Sequence, residues 1–434
     1  MQSWTAHELP ALPVHEDTLQ LFDTATGQLV HPQHPSASAS LYVCGITPYD
    51  ATHLGHANTY VGFDLLVRYW RGAGLTVTYT QNVTDVDDPL LERADATGQD
   101  WRELADEQTE LFRSDMHALN VLPPDHYLSV SESMDSIERD VAELLDAGLA
   151  YPVPTPQAPE GDDLYFDLRA AEQRGGWQLG SIGAHTSAEM AEIFPQRGGD
   201  PQRAGKRDPL DPLLWRAHRA GEPRWSSPRL GPGRPGWHIE CCSIARDTLP
   251  APFTVQGGGS DLRFPHHEFS AAHAEALTGQ PMAHVYVHSG MVAMDGEKMS
   301  KSLGNLELVS RLTAAGVDPM TVRTLLTGQH YRSDWDYRPE LVEQARTRRE
   351  RWQSALERET SGDGAAVHAG VVAALSRDLD APAAQAILDD WAQQALSREA
   401  TAPTAGPASS ESGNRDVTTV RVADVAAGLL GITL

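Results

Sequence analysis

The chain has 434 residues, 22% of them charged and 40% hydrophobic, with a formal net charge of −26 and three cysteines. That length exceeds one compact unit and can bury a sizeable core, the acidic total has the wrong sign for a protein that must hold a polynucleotide backbone, and three sparse cysteines exclude a disulfide framework. No charged-then-apolar leader opens the sequence and no apolar run nears the roughly twenty residues of a membrane span, so a cytoplasmic protein with no membrane partner is expected.

Residues 1–35 form an N-terminal segment. Leu41-Tyr42-Val43-Cys44 reads as a short buried strand, Gly45 to Asp50 as a turn, and Tyr60 to Trp70 as a helix. Val61, Leu65 and Tyr69 recur at helical spacing, and Gly72 and Gly74 stop the helix. His53-Leu54-Gly55-His56 thus falls where a strand passes into a helix N-terminus, whose free N–H groups suit phosphate. The glycine between the imidazoles lets a ligand approach the backbone. Thr76 to Asn82 reads as a second strand, so residues 36–120 make the first half of an α/β nucleotide fold. Residues 121–215 read as an inserted subdomain: Pro123-Pro124, a helical stretch from Ser131 to Ala150, then a Pro- and Gly-rich loop from Tyr151 to Asp162. Residues 216–312 return to the nucleotide fold, and 313–400 are helical. Residues 401–434 comprise a linker, Thr401 to Asn414, and a short helix from Val417.

The cationic side chains are unevenly distributed. Of 34 Lys and Arg, only Lys206, Lys298 and Lys301 are lysines, and two of these share Gly296-Glu297-Lys298-Met299-Ser300-Lys301-Ser302. Where Arg serves almost everywhere else, paired lysines mark positions that need a compact, mobile ammonium. Two such groups in a Gly-bounded loop suit a polyphosphate.

His53-Leu54-Gly55-His56 and Lys298-Met299-Ser300-Lys301-Ser302 resemble the HIGH and KMSKS signatures of class I aminoacyl-tRNA synthetases. Val43-Cys44-Gly45, the run Gln81 to Asp88, Gly233 to Cys241 and Gly257 to Glu268 resemble the cysteine-specific branch. Within it, Met1-Gln2-Ser3-Trp4, the variant Cys44 to Asp50 and Arg197-Gly198-Gly199-Asp200-Pro201 are similar to the cysteine:glucosaminyl-inositol ligases of mycothiol biosynthesis. The likeness covers roughly residues 1 to 350 and implies a Rossmann-like catalytic domain with an inserted subdomain and a C-terminal helical domain.

Two thiolates and an imidazole fit a tetrahedral zinc with one open position. The resemblance places the ligands, for one Zn²⁺ per chain, at Cys44, Cys241 and His266. The synthetase's further ligand, a Glu four residues after that His, is Ser270 here, and Glu268 need not reach. Cys242 reads as buried and inert. An open metal site would take the substrate's sulfur and separate cysteine from serine, which shape alone does poorly. The resemblance further implies a two-step reaction: ATP with Mg²⁺ and L-cysteine give cysteinyl-adenylate and pyrophosphate, then the amine of glucosaminyl-inositol displaces AMP. His53, His56, Lys298 and Lys301 would face the phosphates. Cys44, Gly45, Ile46, Thr47, Thr59, Asn82, Val83, Thr84, Trp237, Gly259, Ser260, Asp261 and Val292 would line the adenylate pocket, with Gly257-Gly258-Gly259 admitting the ribose. Asp261 and Glu240 are both open as the base for amine attack. Asp85, Asp87 and Asp88 read as a solvated acidic turn before a metal site, and Arg197 to Asp200 as either a sugar contact or an exposed turn.

The alternative, a cysteinyl-tRNA synthetase, shares the first step. A tail that reads tRNA should be basic, yet Ser361 to Leu434 holds four Arg against nine Asp or Glu. No nucleic-acid partner and a monomer are therefore expected, with the C-terminal helices bracing the Lys loop.

Overall fold

A computed structural model of the chain describes residues 1–49, 52–299, 304–398 and 420–434. At its centre five strands run Ala283–Ser289, Phe253–Gly259, Ser38–Val43, Thr76–Val83, His126–Ser129 across the sheet, each pair parallel. The strands read as apolar runs because both faces are covered; Leu41, Val43, Val255 and Val287 are fully buried. Chain order reverses beside Ser38–Val43, which has a later strand on one side and the next strand on the other. A crevice therefore opens at the carboxyl ends of Ser38–Val43 and Phe253–Gly259, the place where α/β sheets bind ligands.

The crossover from the first strand is the helix Leu54–Gly72. Val61, Leu65 and Tyr69 are buried as their spacing requires, but Asp64 and Arg68 are buried too. The helix has no wet face because Pro319–Thr327 and the terminal segment Ala426–Leu430 pack against it. A charge network fills that contact. Arg68 Nε donates to Asp64 over 2.6 Å, and the Arg323 guanidinium donates to the same carboxylate. Arg68 also donates to the Ala427 carbonyl (2.8 Å), Arg323 to that of Leu430 (2.7 Å), and Asn120 to that of Gly431 (2.9 Å).

The insertion differs from residues 121–215 at both ends. His126–Ser129, four residues long, pairs with Thr80 to Val83 in the central sheet. The inserted sheet is antiparallel, Ala150–Val153, Asp163–Phe166, Leu213–Ala217 and Gly233–Pro235, and closes only at residue 235. The stretch expected to be helical from Ser131 to Ala150 is helical over Met134–Asp146. Residues 1–35 are integrated rather than appended. The hairpin Leu21–Asp23 and Gln28–Val30 docks on the sheet edge, where Thr24 N–H donates to Tyr286 O (2.8 Å) and Tyr286 N–H to Asp23 (2.9 Å).

The Lys loop begins as a hairpin. Val292–Met294 pairs antiparallel with Glu297–Lys298 and parallel with Trp335–Tyr337, so the chain beyond the loop returns to support it. Asp295 and Gly296 supply φ values of 55° and 77°, which a two-residue turn of this hand needs. Lys301 and the linker Thr401 to Asn414 lie outside the described residues. Among the described residues no helix is long and apolar enough to cross a membrane.

Burial raises the Asp64 carboxyl, but Arg68 and Arg323 more than offset it and hold the group below its ordinary range. A depressed folded-state value adds stability above the ordinary carboxylate range that is lost as pH falls through the folded value. Asp64→Asn, which strands two buried guanidinium groups, is expected to cost about 3–5 kcal/mol. Urea denaturation at neutral pH reads this directly, and the gap between variant and parent should narrow in acid.

Candidate active site and metal centre

Cys44 follows the strand Ser38–Val43 directly and so sits at the crevice mouth. Cys241 lies one turn into the helix Trp237–Thr248, and His266 in the turn before Glu268–Thr278. The two sulfurs are 3.7 Å apart, and His266 Nε2 is 3.1 Å from Cys241 Sγ. All three ligand atoms lie within 4.8 Å of one another, in side chains 5%, 2% and 1% exposed. Burial pushes the Cys44 thiol up. Cys241, although burial opposes it, is held well below the ordinary thiol range by hydrogen bonds from Cys44 and His266. A thiol, a thiolate and an imidazole converging in a buried pocket can hold a metal ion with a position to spare. Among the described residues this is the one such grouping.

The surroundings orient each ligand. Trp237 stacks on His266, centroids 4.3 Å apart, and His238 Nδ1 lies 3.2 Å from His266 Nδ1. Burial drives His238 well below the ordinary imidazole range; where His266 donates through Nδ1 to His238, its Nε2 is left free to act as a ligand. Ser270 donates to the carbonyls of His238 (3.0 Å) and His266 (2.7 Å), which braces the backbone rather than supplying a ligand. Glu268 faces elsewhere: it accepts from Trp177, Gly180, Ile182 and Gly183 at 2.7–3.1 Å and bolts the insertion to the catalytic domain. Cys242 is buried, and burial pushes its thiol up.

The imidazoles His53 and His56 stack at 3.8 Å, and His53, the helix N-cap, accepts from His56 N–H. A Cβ on Gly55 would meet the His53 ring at 2.8 Å, so this glycine is required by the stack as well as by any ligand. The chain leaving the Lys loop returns to this point. Leu54 N–H donates to Glu307 O (2.9 Å), Val309 N–H donates to Thr52 O (3.0 Å), and His53 bridges Leu308. Backbone hydrogen bonds thus join the first signature to residues 307–309, the stretch that follows the Lys loop in the chain. Lys298 ends the short strand at the start of the loop.

The remaining candidates divide. Asn82 is the strut of the turn after Cys44: its Oδ1 accepts from Gly45 N–H (2.8 Å) and Tyr42 OH (3.2 Å), and its Nδ2 donates to Thr84 (3.1 Å). Thr84 N–H closes the turn on Ile46 O at 2.9 Å, and Thr47 O accepts from Tyr49 N–H. Thr59 bonds Ser289, 2.7 Å away, at the end of the edge strand. Val83 faces the core, and Val292 is buried in the hairpin. In the Gly257-Gly258-Gly259 run a Cβ would strike Phe63 at 2.5 Å, His267 at 2.9 Å and the carboxylate of Asp261 at 2.6 Å, so the first two glycines serve internal packing and the third lets Asp261 fold back on its turn. Ser260 and Asp261 form the turn beyond. Arg197 reaches the carbonyls of Asp261 and Phe264, Gly199 packs on Phe194, and Asp200 accepts from Tyr165 and Lys206, so the side chains of this turn are tied inward while Gly198 stays exposed.

The acidic run is not a solvated turn. Asp85 accepts from Ser131, Asp87 caps the helix Asp88–Thr97 and is pushed by burial to about 6, and Asp88 pairs with Arg234. Glu240 is buried, and burial together with Asp87 raises it well above the ordinary range. Sequence reading missed Tyr42, Gln256, His267, His288 and Ser289 around the centre; the pairing of His266 with His267 was the available signal.

A family model described as "tRNA synthetases class I (C) catalytic domain" matches residues 30–347. A protein of Micrococcus luteus named "L-cysteine:1D-myo-inositol 2-amino-2-deoxy-alpha-D-glucopyranoside ligase" is 58% identical over 434 residues, covering the whole of both chains. A protein of the same name from Kocuria rhizophila is 54% identical over 447 residues, again covering both chains entirely. Among solved structures, Mycobacterium tuberculosis methionyl-tRNA synthetase bound by methionyl-adenylate matches with a TM-score of 0.60 at 16% identity, over 83% of this chain and 84% of its own, and shares the fold.

A Cβ on Gly45 would lie 1.5 Å from the Asn82 carbonyl oxygen. Gly45→Ala is therefore expected to push the turn off its strut and cost about 1–3 kcal/mol. A urea midpoint equal to that of the parent would contradict the contact.

Proposed function

Since the chain belongs to the class I cysteine-type tRNA synthetase family and, within it, to the L-cysteine:1D-myo-inositol 2-amino-2-deoxy-alpha-D-glucopyranoside ligases, we propose that it joins L-cysteine to the amine of that amino sugar at the expense of ATP. The observation that carries this reading is the buried Cys44–Cys241–His266 set at the sheet crevice, with His53 bridged to Leu308 in the segment that follows the Lys loop.

In the first step a carboxylate oxygen of cysteine bonds to the α-phosphorus of ATP and the bond to pyrophosphate breaks. No protein nucleophile is required, and positioning with charge stabilisation carries the step. His53 and His56 at the helix N-terminus donate to the phosphates, and Lys298 and Lys301 collect the charge on the leaving pyrophosphate with Mg²⁺. In the second step the sugar nitrogen bonds to the acyl carbon and AMP departs. The amine loses a proton, which Asp261 or Glu240 receives. Asn82 and Thr84 hold the Cys44–Thr47 turn against the adenylate, while Thr59, Trp237 and the Gly259–Asp261 turn complete the pocket. Zn²⁺ held by Cys44, Cys241 and His266 would supply an open position that prefers a thiolate to a hydroxyl. The donor set fits that ion: soft sulfur, one imidazole, and Ser270 turned to the backbone. The enzyme is read as a cytoplasmic monomer without a nucleic-acid partner.

The matching family's own description keeps a cysteinyl-tRNA synthetase as the second reading. Radiolabelled cysteine and ATP, offered with either tRNA or the glucosaminyl-inositol, separate the two. Label is expected in the amino-sugar product; charged tRNA without sugar ligation would defeat the proposal. Cys44→Ser is expected to lower bound zinc and cysteine-dependent pyrophosphate exchange together. Metal loss with unchanged exchange would show that the metal does not select the substrate.

A further inference from the structure

Behind the three ligands runs a buried line of side chains drawn from three separate elements. His267 Nε2 lies 3.2 Å from Cys44 Sγ, His267 Nδ1 lies 2.8 Å from His288 Nε2, and His288 Nδ1 lies 2.7 Å from Thr24 Oγ1. His267 and His288 are almost wholly buried, and Thr24 is 6% exposed. Burial lowers His288 to about 3, so it is neutral and carries a single N–H.

A neutral imidazole donates through one nitrogen and accepts through the other. The line therefore has two self-consistent directions. Either every hydrogen points from Thr24 toward Cys44, or every hydrogen points away. Any mixture sets N–H against N–H, or lone pair against lone pair. A cysteine that serves as a metal ligand presents a sulfur acceptor, which selects the first direction. Thr24 O–H donates to His288 Nδ1, His288 Nε2–H donates to His267 Nδ1, and His267 Nε2–H donates to Cys44 Sγ; the Gln256 amide nitrogen, 3.3 Å from His267 Nε2 and 3.5 Å from Cys44 Sγ, donates to the same sulfur, so two donors converge on it side by side. The far end is anchored: Thr24 and Asp23 both bond the backbone of Tyr286, which fixes the hairpin and with it the hydroxyl.

We infer that Thr24 and His288 are positioning residues of the metal centre, setting the tautomer of His267 so that its Nε2–H faces the Cys44 sulfur. The N-terminal hairpin is then a working part of the site. A hydrogen bond to a ligand sulfur draws off part of its charge and leaves the metal more receptive to a further sulfur donor. The inference rests on the metal reading above.

Cobalt(II) binding to the metal-stripped full chain tests it, by competition with a chelator and by the sulfur-to-cobalt charge-transfer band. Thr24→Val keeps the shape and loses the hydroxyl. It is expected to weaken binding about tenfold, the lower end for outer-shell partners, and to shift the band. Thr24→Ser is expected to restore both. Thr26→Val, which cuts only the hairpin's own Thr26–Asp23 bond of 2.7 Å, is expected to leave both unchanged. Parental affinity and band in Thr24→Val would overturn the inference, as would an equal loss in Thr26→Val, which would assign the effect to hairpin folding. A parent chain that takes up no cobalt would overturn the metal centre itself.

Discussion

Two sulfur atoms 3.7 Å apart at the point where strand order reverses set the terms for the rest of this protein. Cys44 reaches that point as the residue immediately after a central strand, and Cys241 as a member of the first turn of a helix nearly two hundred residues later. Both are buried, and a buried thiolate is costly unless something compensates it. The fold supplies that compensation from several directions: His266 against Cys241, His267 and Gln256 against Cys44, and Asn82 tying the turn between them. A buried pocket so stocked with soft and imidazole donors can hold a metal ion.

The helix start that carries His53 and His56 is organised around the same crevice by different means. The helix that starts at His53 is pinned along its outer face by Asp64, Arg68 and Arg323, and these guanidinium groups also grip the carbonyls of the terminal segment. The helix start beside the imidazole pair meets residues 307–309, downstream of the Lys loop, through backbone bonds. The position of the helix start thus depends on a desolvated charge network along the rest of the helix. Such a network tolerates loss of one member poorly, because the partners left behind are buried. The terminal residues contribute by closing that network, while Trp335–Tyr337 supports the hairpin directly.

Much of this was legible in the sequence, for local reasons. The first strand, the helix after it and the two signature stretches are contiguous, and their residue types are hard to explain otherwise. The convergence of Cys44, Cys241 and His266 could be anticipated because the flanking motifs are short and distinctive. What escaped was whatever depends on distant partners. Asp64 and Arg68 look like a solvated helix face until the terminal segment covers them. His126–Ser129 is too short to declare itself a central strand. The first two glycines of the run looked like room for a ligand, whereas Phe63 and His267 stand directly against them. Glu268, two residues from a ligand, has its carboxylate committed to four N–H donors of the insertion.

The central claim is that Cys44, Cys241 and His266 hold zinc with one position left for the substrate's sulfur. X-ray absorption at the zinc edge, on the purified protein with and without L-cysteine, tests it directly. The account predicts two sulfur ligands and an imidazole in the free protein, and a third sulfur at about 2.3 Å once cysteine is added. A sulfur count that does not rise with cysteine, or a shell without sulfur, would contradict it.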